Sequence, residues 1–135
     1  MKLSIIIVSY NVKDYIKQCI RSIYRSDLNR EDYEIIIIDN DSHDGTIQEL
    51  KNNFDNLKIK ENEVNVGFSK AVNDGLKISN GKFICVLNPD VIISKNTFSS
   101  LLNYYEKNDN IGCIGPKILN VDGTIQHSCK RSFPT

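Results

Sequence analysis

The feature that most constrains this chain is a set of apolar runs, rich in isoleucine and valine, that continue almost without polar alternation. They occupy residues 3–8, 33–38 and 82–87, with a weaker run at 57–60. A strand with one wet face alternates apolar and polar residues, whereas a strand covered on both faces reads as a continuous run. These runs therefore predict a parallel sheet with helices on both sides. The intervening segments carry the matching helical spacing. Val12, Tyr15, Ile16, Cys19, Ile20, Ile23 and Tyr24 recur at three- and four-residue intervals, with Asn11 placed to cap the start. Thr46 and Glu49 have capping-box spacing at the head of a second helix, which carries Ile47, Leu50 and Phe54 and should end near Asn52-Asn53. Phe68, Ala71, Val72, Gly75 and Leu76 mark a third helix, and Phe98, Leu101, Leu102 and Tyr105 a fourth. After these, 111–119 predicts a strand, Val121-Asp122-Gly123 a turn, and 124–129 the return strand of a hairpin.

With 135 residues and no repeat or Gly/Ser-rich linker, the chain reads as a single domain, 1–135. Its 17 basic and 17 acidic side chains balance, so no field gathers nucleic acid or an anionic membrane, and a small-molecule ligand is the better expectation. Cys19, Cys85, Cys113 and Cys129 are too widely spaced for a zinc cluster or a disulfide framework and read as reduced thiols of a cytoplasmic protein. The apolar run at the start is too short to span a bilayer and lacks a signal-peptide cleavage region, so it is read as a buried strand with no integral membrane segment.

In an open parallel sheet the ligand lies across the carboxyl ends of the strands. Those ends are polar here: Ser9-Tyr10-Asn11, Asp39-Asn40-Asp41-Ser42 and Asn88-Pro89-Asp90. An aromatic face with amides and carboxylates suits a nucleotide. Tyr10 can cover a base, and Asn40 can both donate to and accept from a pyrimidine edge. Asp90 is the hard oxygen donor that Mg²⁺ or Mn²⁺ uses when bridging a pyrophosphate. Each segment also has a plainer reading. Asn11, Ser42 and Asp44 serve equally well as caps and turn formers, Tyr10 as rim packing, and Asn88-Pro89-Asp90 as an ordinary turn. His43 and His127 have no identifiable acid partner and are assigned no chemistry, and Cys129-Lys130-Arg131 reads as a solvated face that can also reach a phosphate.

Taken in order, Ser4-Ile5-Ile6-Ile7-Val8-Ser9-Tyr10-Asn11 and Ile38-Asp39-Asn40-Asp41-Ser42-His43-Asp44-Gly45-Thr46 resemble the opening of family 2 glycosyltransferases. Asn65-Val66-Gly67-Phe68-Ser69-Lys70-Ala71-Val72-Asn73-Asp74-Gly75, then Leu87-Asn88-Pro89-Asp90, resemble the branch containing rhamnosyltransferases and related cell-surface polysaccharide enzymes. Gly115-Pro116-Lys117-Ile118-Leu119-Asn120 with Asp122-Gly123 adds to the likeness. The resemblance implies a GT-A fold, a three-layer α/β/α arrangement with a mostly parallel central sheet. It implies that Ser9, Tyr10, Asp39 and Asn40 line the nucleoside pocket and that Asn65, Gly67 and Asn73 lie near the pyrophosphate and sugar. Asn88 also joins the nucleotide site, and Asp90 closes the equivalent of a metal-binding Asp-X-Asp. With Asn88 in place of the first carboxylate, an oxygen donor is kept and a charge lost, which weakens divalent-metal affinity. Many relatives carry an Arg where this chain has Val72, and Lys70 is the expected substitute.

The implied reaction moves a sugar, with inversion, from a UDP- or dTDP-linked donor to a saccharide or lipid-linked acceptor. A Mg²⁺ or Mn²⁺ ion would stabilise the departing diphosphate and a carboxylate would deprotonate the acceptor hydroxyl. No residue here is a convincing base. The base is expected beyond Thr135, so the piece is read as truncated at its C-terminal end, binding donor with little transfer alone. Location at the inner membrane face and assembly as a homo-oligomer are compatible with the resemblance. A nucleotidyltransferase would need a glycine-rich basic loop after the first strand, and a dinucleotide-binding oxidoreductase a Gly-x-Gly-x-x-Gly run; neither is present. The remaining rival is a nucleotide-sugar-binding or assembly module without chemistry.

Overall fold

The structure, a computed structural model, describes residues 2–129. In chain order it forms β1 (Leu3–Ser9), α1 (Lys13–Tyr24), a 3-10 turn (Arg30–Asp32), β2 (Tyr33–Asp39) and α2 (Thr46–Asn53). These are followed by β3 (Leu57–Glu61), α3 (Phe68–Ile78), β4 (Phe83–Leu87), α4 (Thr97–Glu106) and a 3-10 turn (His127–Cys129). The four strands and four helices expected up to residue 106 all appear, within a residue or two of their expected ends. The chain divides into two compact units, Met1–Asn96 and Thr97–Thr135.

In the first unit the sheet order is β3-β2-β1-β4 and every pairing is parallel. β1 is central, with Leu3 beside both Tyr33 and Phe83, and both β1 and β2 are buried along their whole length. That is why their sequences do not alternate. Right-handed crossovers put α1 and α2 on one face as the chain steps from β1 to β3, and α3 on the other as it returns to β4. α3 seats Ala71 against Ile6, Val8, Ile36 and Ile38. A Cβ at Gly75 would stand 2.6 Å from Ile6 Cγ2, so glycine allows this close approach. Ile5, Ile7, Ile35 and Ile37 point the other way, toward the layer whose buried residues include Ile16, Cys19, Ile20 and Ile23 of α1 and Leu50 of α2. The result is the three-layer α/β/α arrangement expected of a GT-A fold.

Two Ser–carboxylate pairs stitch β1 to β2. At the amino end the Ser4 hydroxyl donates to Glu34 Oε1 at 2.6 Å, and the Asn80 N–H donates to the same oxygen. Lys58 Nζ lies 2.5 Å from the other oxygen. At the carboxyl end Ser9 donates to Asp39, also at 2.6 Å. The outer strand β3 carries charge: Lys60 pairs with Asp74 and Glu61 with Lys51, a composition that discourages further strand pairing there.

The helix caps differ from the expected ones. Asn11 has φ 51° and does not cap α1; its Oδ1 accepts the His43 N–H instead. Thr46 and Glu49 form no capping box: Gly45 holds the cap position, the Thr46 hydroxyl donates to Asp44, and Glu49 accepts from Lys17 of α1 at 2.9 Å. Asp44 serves both helices: one oxygen accepts the Lys13 N–H at the head of α1, the other the N–H and hydroxyl of Thr46 at the head of α2.

The second unit contains α4, in which Phe98 is buried, and an irregular segment. The strand expected at 111–119 does not form. Gly112 and Gly115 favour extension poorly and Pro116 cannot donate to a ladder, so the described residues hold one antiparallel bridge, Leu119 to Ile125. The turn between them is present. Gly123 takes φ 82°, the Asn120 N–H reaches Thr124 O at 2.8 Å, and Asp122 accepts both the N–H and the hydroxyl of Thr124. The return segment ends in the 3-10 turn, not a strand. Among the described residues no helix is long and apolar enough to cross a membrane.

Candidate donor site

The chain steps outward from β1 to β2 to β3 and then returns to the far side of β1 with β4. The reversal leaves a crevice between the carboxyl ends of β1 and β4, where the loops diverge and open parallel sheets take their ligands. A shallow cavity of about 470 Å³ lies there, lined by Val12, Tyr15, Asn88, Pro89 and Asp90.

On the β2 side of this end the polar residues are turned inward. Ser9, Asp39 and Asn40 are 0%, 2% and 2% exposed. Asp39 Oδ1 accepts from the hydroxyls of Ser9 and Ser42, both at 2.6 Å, and Oδ2 accepts the Ser42 N–H at 2.9 Å. The Ser42 oxygen in turn accepts the Asn11 N–H at 2.9 Å. Asn40 Oδ1 accepts from Asn62 Nδ2 at 2.9 Å, and its own Nδ2 donates to Gly67 O at 3.4 Å. The Asn65 carboxamide accepts the Gly67 N–H at 3.0 Å, and Gly67 takes φ 83°, a backbone that other residues rarely adopt. Ser9, Asp39, Asn40, Asn65 and Gly67 are thus brought together, as a bonded scaffold joining the ends of β1 and β2 to the head of α3.

The β4 side is open. Tyr10 is 49% exposed and Tyr15 63% exposed. Asn88 and Asp90 are exposed, and among the described residues no hydrogen bond or ion pair engages the Asp90 carboxylate. Lys70 and Asn73 are exposed on α3 and do not line the cavity. His43 is exposed as expected, but it has an acid neighbour, with Nε2 3.3 Å from Asp41 Oδ2. Lys130 and Arg131 lie outside the described residues.

The donor set can be tested against a divalent ion. Among the described residues no three His, Cys, Asp or Glu side chains converge to hold one. A single unengaged carboxylate beside an amide oxygen fits Mg²⁺ or Mn²⁺ carried in on a diphosphate, which keeps most of its shell as phosphate and water. All four cysteines are free thiols. Burial pushes Cys19 up to about 12, with Cys85 and Asp90 adding to the effect, and burial pushes Cys85 up to about 11, so both stay protonated and unreactive at neutral pH. At Asp44, desolvation raises the pKa, but the bonds from Thr46 and the Lys13 N–H outweigh it and hold the carboxyl low.

Sequence reading missed Tyr15 and Val12 as cavity walls, having placed both in the apolar stripe of α1; the available signal was their position in the first turn after β1. It also missed Asn62, an unremarkable polar residue after β3 that orients Asn40.

Residues 4–131 match the profile described as glycosyl transferase family 2. The minor teichoic acid biosynthesis protein GgaB of Bacillus subtilis strain 168 is 30% identical over 96% of this chain and 15% of its own length. The poly(ribitol-phosphate) beta-N-acetylglucosaminyltransferase TarS of Staphylococcus aureus is 30% identical over 99% of this chain and 24% of its own. The chain therefore spans less than a quarter of either relative. The crystal structure of S. aureus TarS 1–349 in complex with UDP-GlcNAc superposes with a TM-score of 0.74, at 25% identity, over 87% of this chain and 38% of that one. A mannosyltransferase from Pyrobaculum calidifontis, solved with GDP-Man and Mn2+, shares the fold at TM-score 0.75 and 20% identity, over 86% of this chain and 36% of that one. With a match along almost its whole length and a parallel sheet that reverses at the polar strand ends, this chain belongs to glycosyl transferase family 2.

Proposed function

We propose that this chain is the donor-binding part of an inverting glycosyltransferase that takes a sugar from UDP and delivers it to a cell-surface polymer. The observation that carries the reading is the Asp90 carboxylate, exposed and unengaged among the described residues, on the wall of the cavity at the switch point. Tyr10 would cover the uracil, over the scaffold of Ser9, Asp39 and Asn40. Asn65, Gly67, Lys70 and Asn73 would meet the diphosphate or sugar from the α3 side, and Asn88 and Asp90 would hold the divalent ion. The ion, when bound, offsets the charge that grows on the departing diphosphate. In the reaction an acceptor oxygen forms a bond to the anomeric carbon, the bond to the diphosphate oxygen breaks, and the acceptor proton passes to a carboxylate base outside the residues assigned here. The choice of UDP follows the ligand of the TarS structure, and dTDP is its nearest competitor.

Calorimetric titration with UDP, dTDP and GDP, each with and without Mn²⁺, tests this on the chain and on an Asp90→Ala variant. UDP binding that Mn²⁺ strengthens, and that loses this gain in the variant, is the expected result. A folded chain that binds none of the three overturns it.

A further inference from the structure

The segment that carries Asn88 and Asp90 runs from the end of β4 toward Asn96 with no regular structure, yet it is fastened at intervals to α1 and the turn after it. The Cys19 thiol donates to the Asn88 carbonyl at 3.7 Å. The Ser22 hydroxyl accepts the Ile93 N–H at 3.1 Å. The Asp27 N–H donates to the Lys95 carbonyl at 2.9 Å. The first two contacts bracket Pro89 and Asp90, and both come from buried side chains one helical turn apart on α1.

Ser22 is suited to this in a way that few residues are. Its own proton is committed to the Cys19 carbonyl at 2.7 Å, the back-bond to the preceding turn that helical serines make. That leaves a lone pair aimed outward, and the Ile93 N–H fills it. Alanine would remove the acceptor and strand a partly buried N–H. Asn88 O and Ile93 N–H are thus held at fixed points on a rigid helix, Pro89 restricts φ between them, and little freedom remains for where the Asp90 side chain stands.

We propose that Ser22, assisted by Cys19, is a positioning residue for the Asn88-Pro89-Asp90 turn: its hydroxyl fastens the segment after β4 to α1 and so aims the Asp90 carboxylate into the cavity. The proposal rests on the donor-site reading above for the role of Asp90, but the tether itself is measurable without any ligand.

The test compares Ser22→Thr with Ser22→Val, side chains of nearly the same shape that differ in the hydroxyl, and follows two readouts on the 135-residue chain. Amide hydrogen exchange at Ile93 should be about five- to ten-fold faster in Ser22→Val, as the loss of one partly buried hydrogen bond implies, and close to the parent in Ser22→Thr. Exchange in β1 and β2 should not change. The gain in UDP affinity on adding Mn²⁺ should shrink by a similar factor in Ser22→Val alone, with metal-free UDP affinity preserved in both. Equal exchange in the two variants overturns the tether. Loss of β1 protection and of metal-free binding together would make Ser22 a packing residue and likewise overturn the proposal. If the parent shows no Mn²⁺-dependent UDP binding, the donor-site reading fails, and the exchange comparison still decides whether Ser22 holds the turn.

Discussion

The two sides of the sheet's carboxyl end are built from similar residues and put to opposite uses. Where β1 meets β2, Ser9, Asp39 and Asn40 are buried, and their polar atoms are taken up by Ser42, Asn62 and Gly67. Where β1 meets β4, Asn88 and Asp90 face solvent and the carboxylate is unengaged among the described residues. A carboxylate that is buried and fully bonded contributes to the fold; one left exposed beside a cavity contributes little to the fold and keeps its charge for a ligand. The contrast teaches that residue type does not separate scaffold from site at a strand end. The bonds already made by each side chain do.

The sharpest way to break this comparison is Asp39→Ala. It strands the buried Ser9 hydroxyl and the Ser42 N–H together, so urea unfolding should show a loss of about 3 kcal/mol. A loss under about 1 kcal/mol would mean the β2 side is wetter than its burial indicates. Asp44→Ala removes the acceptor at two helix heads and should cost about 1–2 kcal/mol by the same measurement. At the amino end of the same ladder, burial opposes ionisation of Glu34, but the bonds from Lys58, Ser4 and the Asn80 N–H outweigh it and lower its pKa. That contribution is complete above the ordinary glutamate value of about 4.3 and is lost as pH falls through the lower folded value. Unfolding of the wild type should therefore show a stability loss between about pH 5 and acid that shrinks in Glu34→Gln. The smallest effect is expected on the open side, where Asp90→Ala should leave stability within about 0.5 kcal/mol of the parent.

Much of the first unit was legible in the sequence because burial on both faces writes itself as uninterrupted β-branched runs, as in β1 and β2. The parity of the strands also carried information that motif reading passes over. Ser9 continues the face of Ile5 and Ile7, and Asp39 that of Ile35 and Ile37, so both were bound to turn toward the helices of that layer. What the sequence does not reveal is the loop chemistry. Asn11 looks like a cap and is instead a left-handed turn residue that holds His43, while Asp44, two residues before Thr46, reaches a second helix far along the chain. Such long-range bonds leave no periodic trace. The segment at 111–119 misled for a different reason: its apolar residues have strand composition, but its glycines and proline remove the means of pairing.

The position of β1 has a consequence for synthesis. It is made before both of its neighbours, and one of them, β4, comes after β2 and β3. During translation at about 5–20 residues per second, a strand that ends buried along its whole length waits several seconds with one edge unpaired. Until Leu87 has emerged that edge is open to other strands, and folding yield should respond to translation speed over that window.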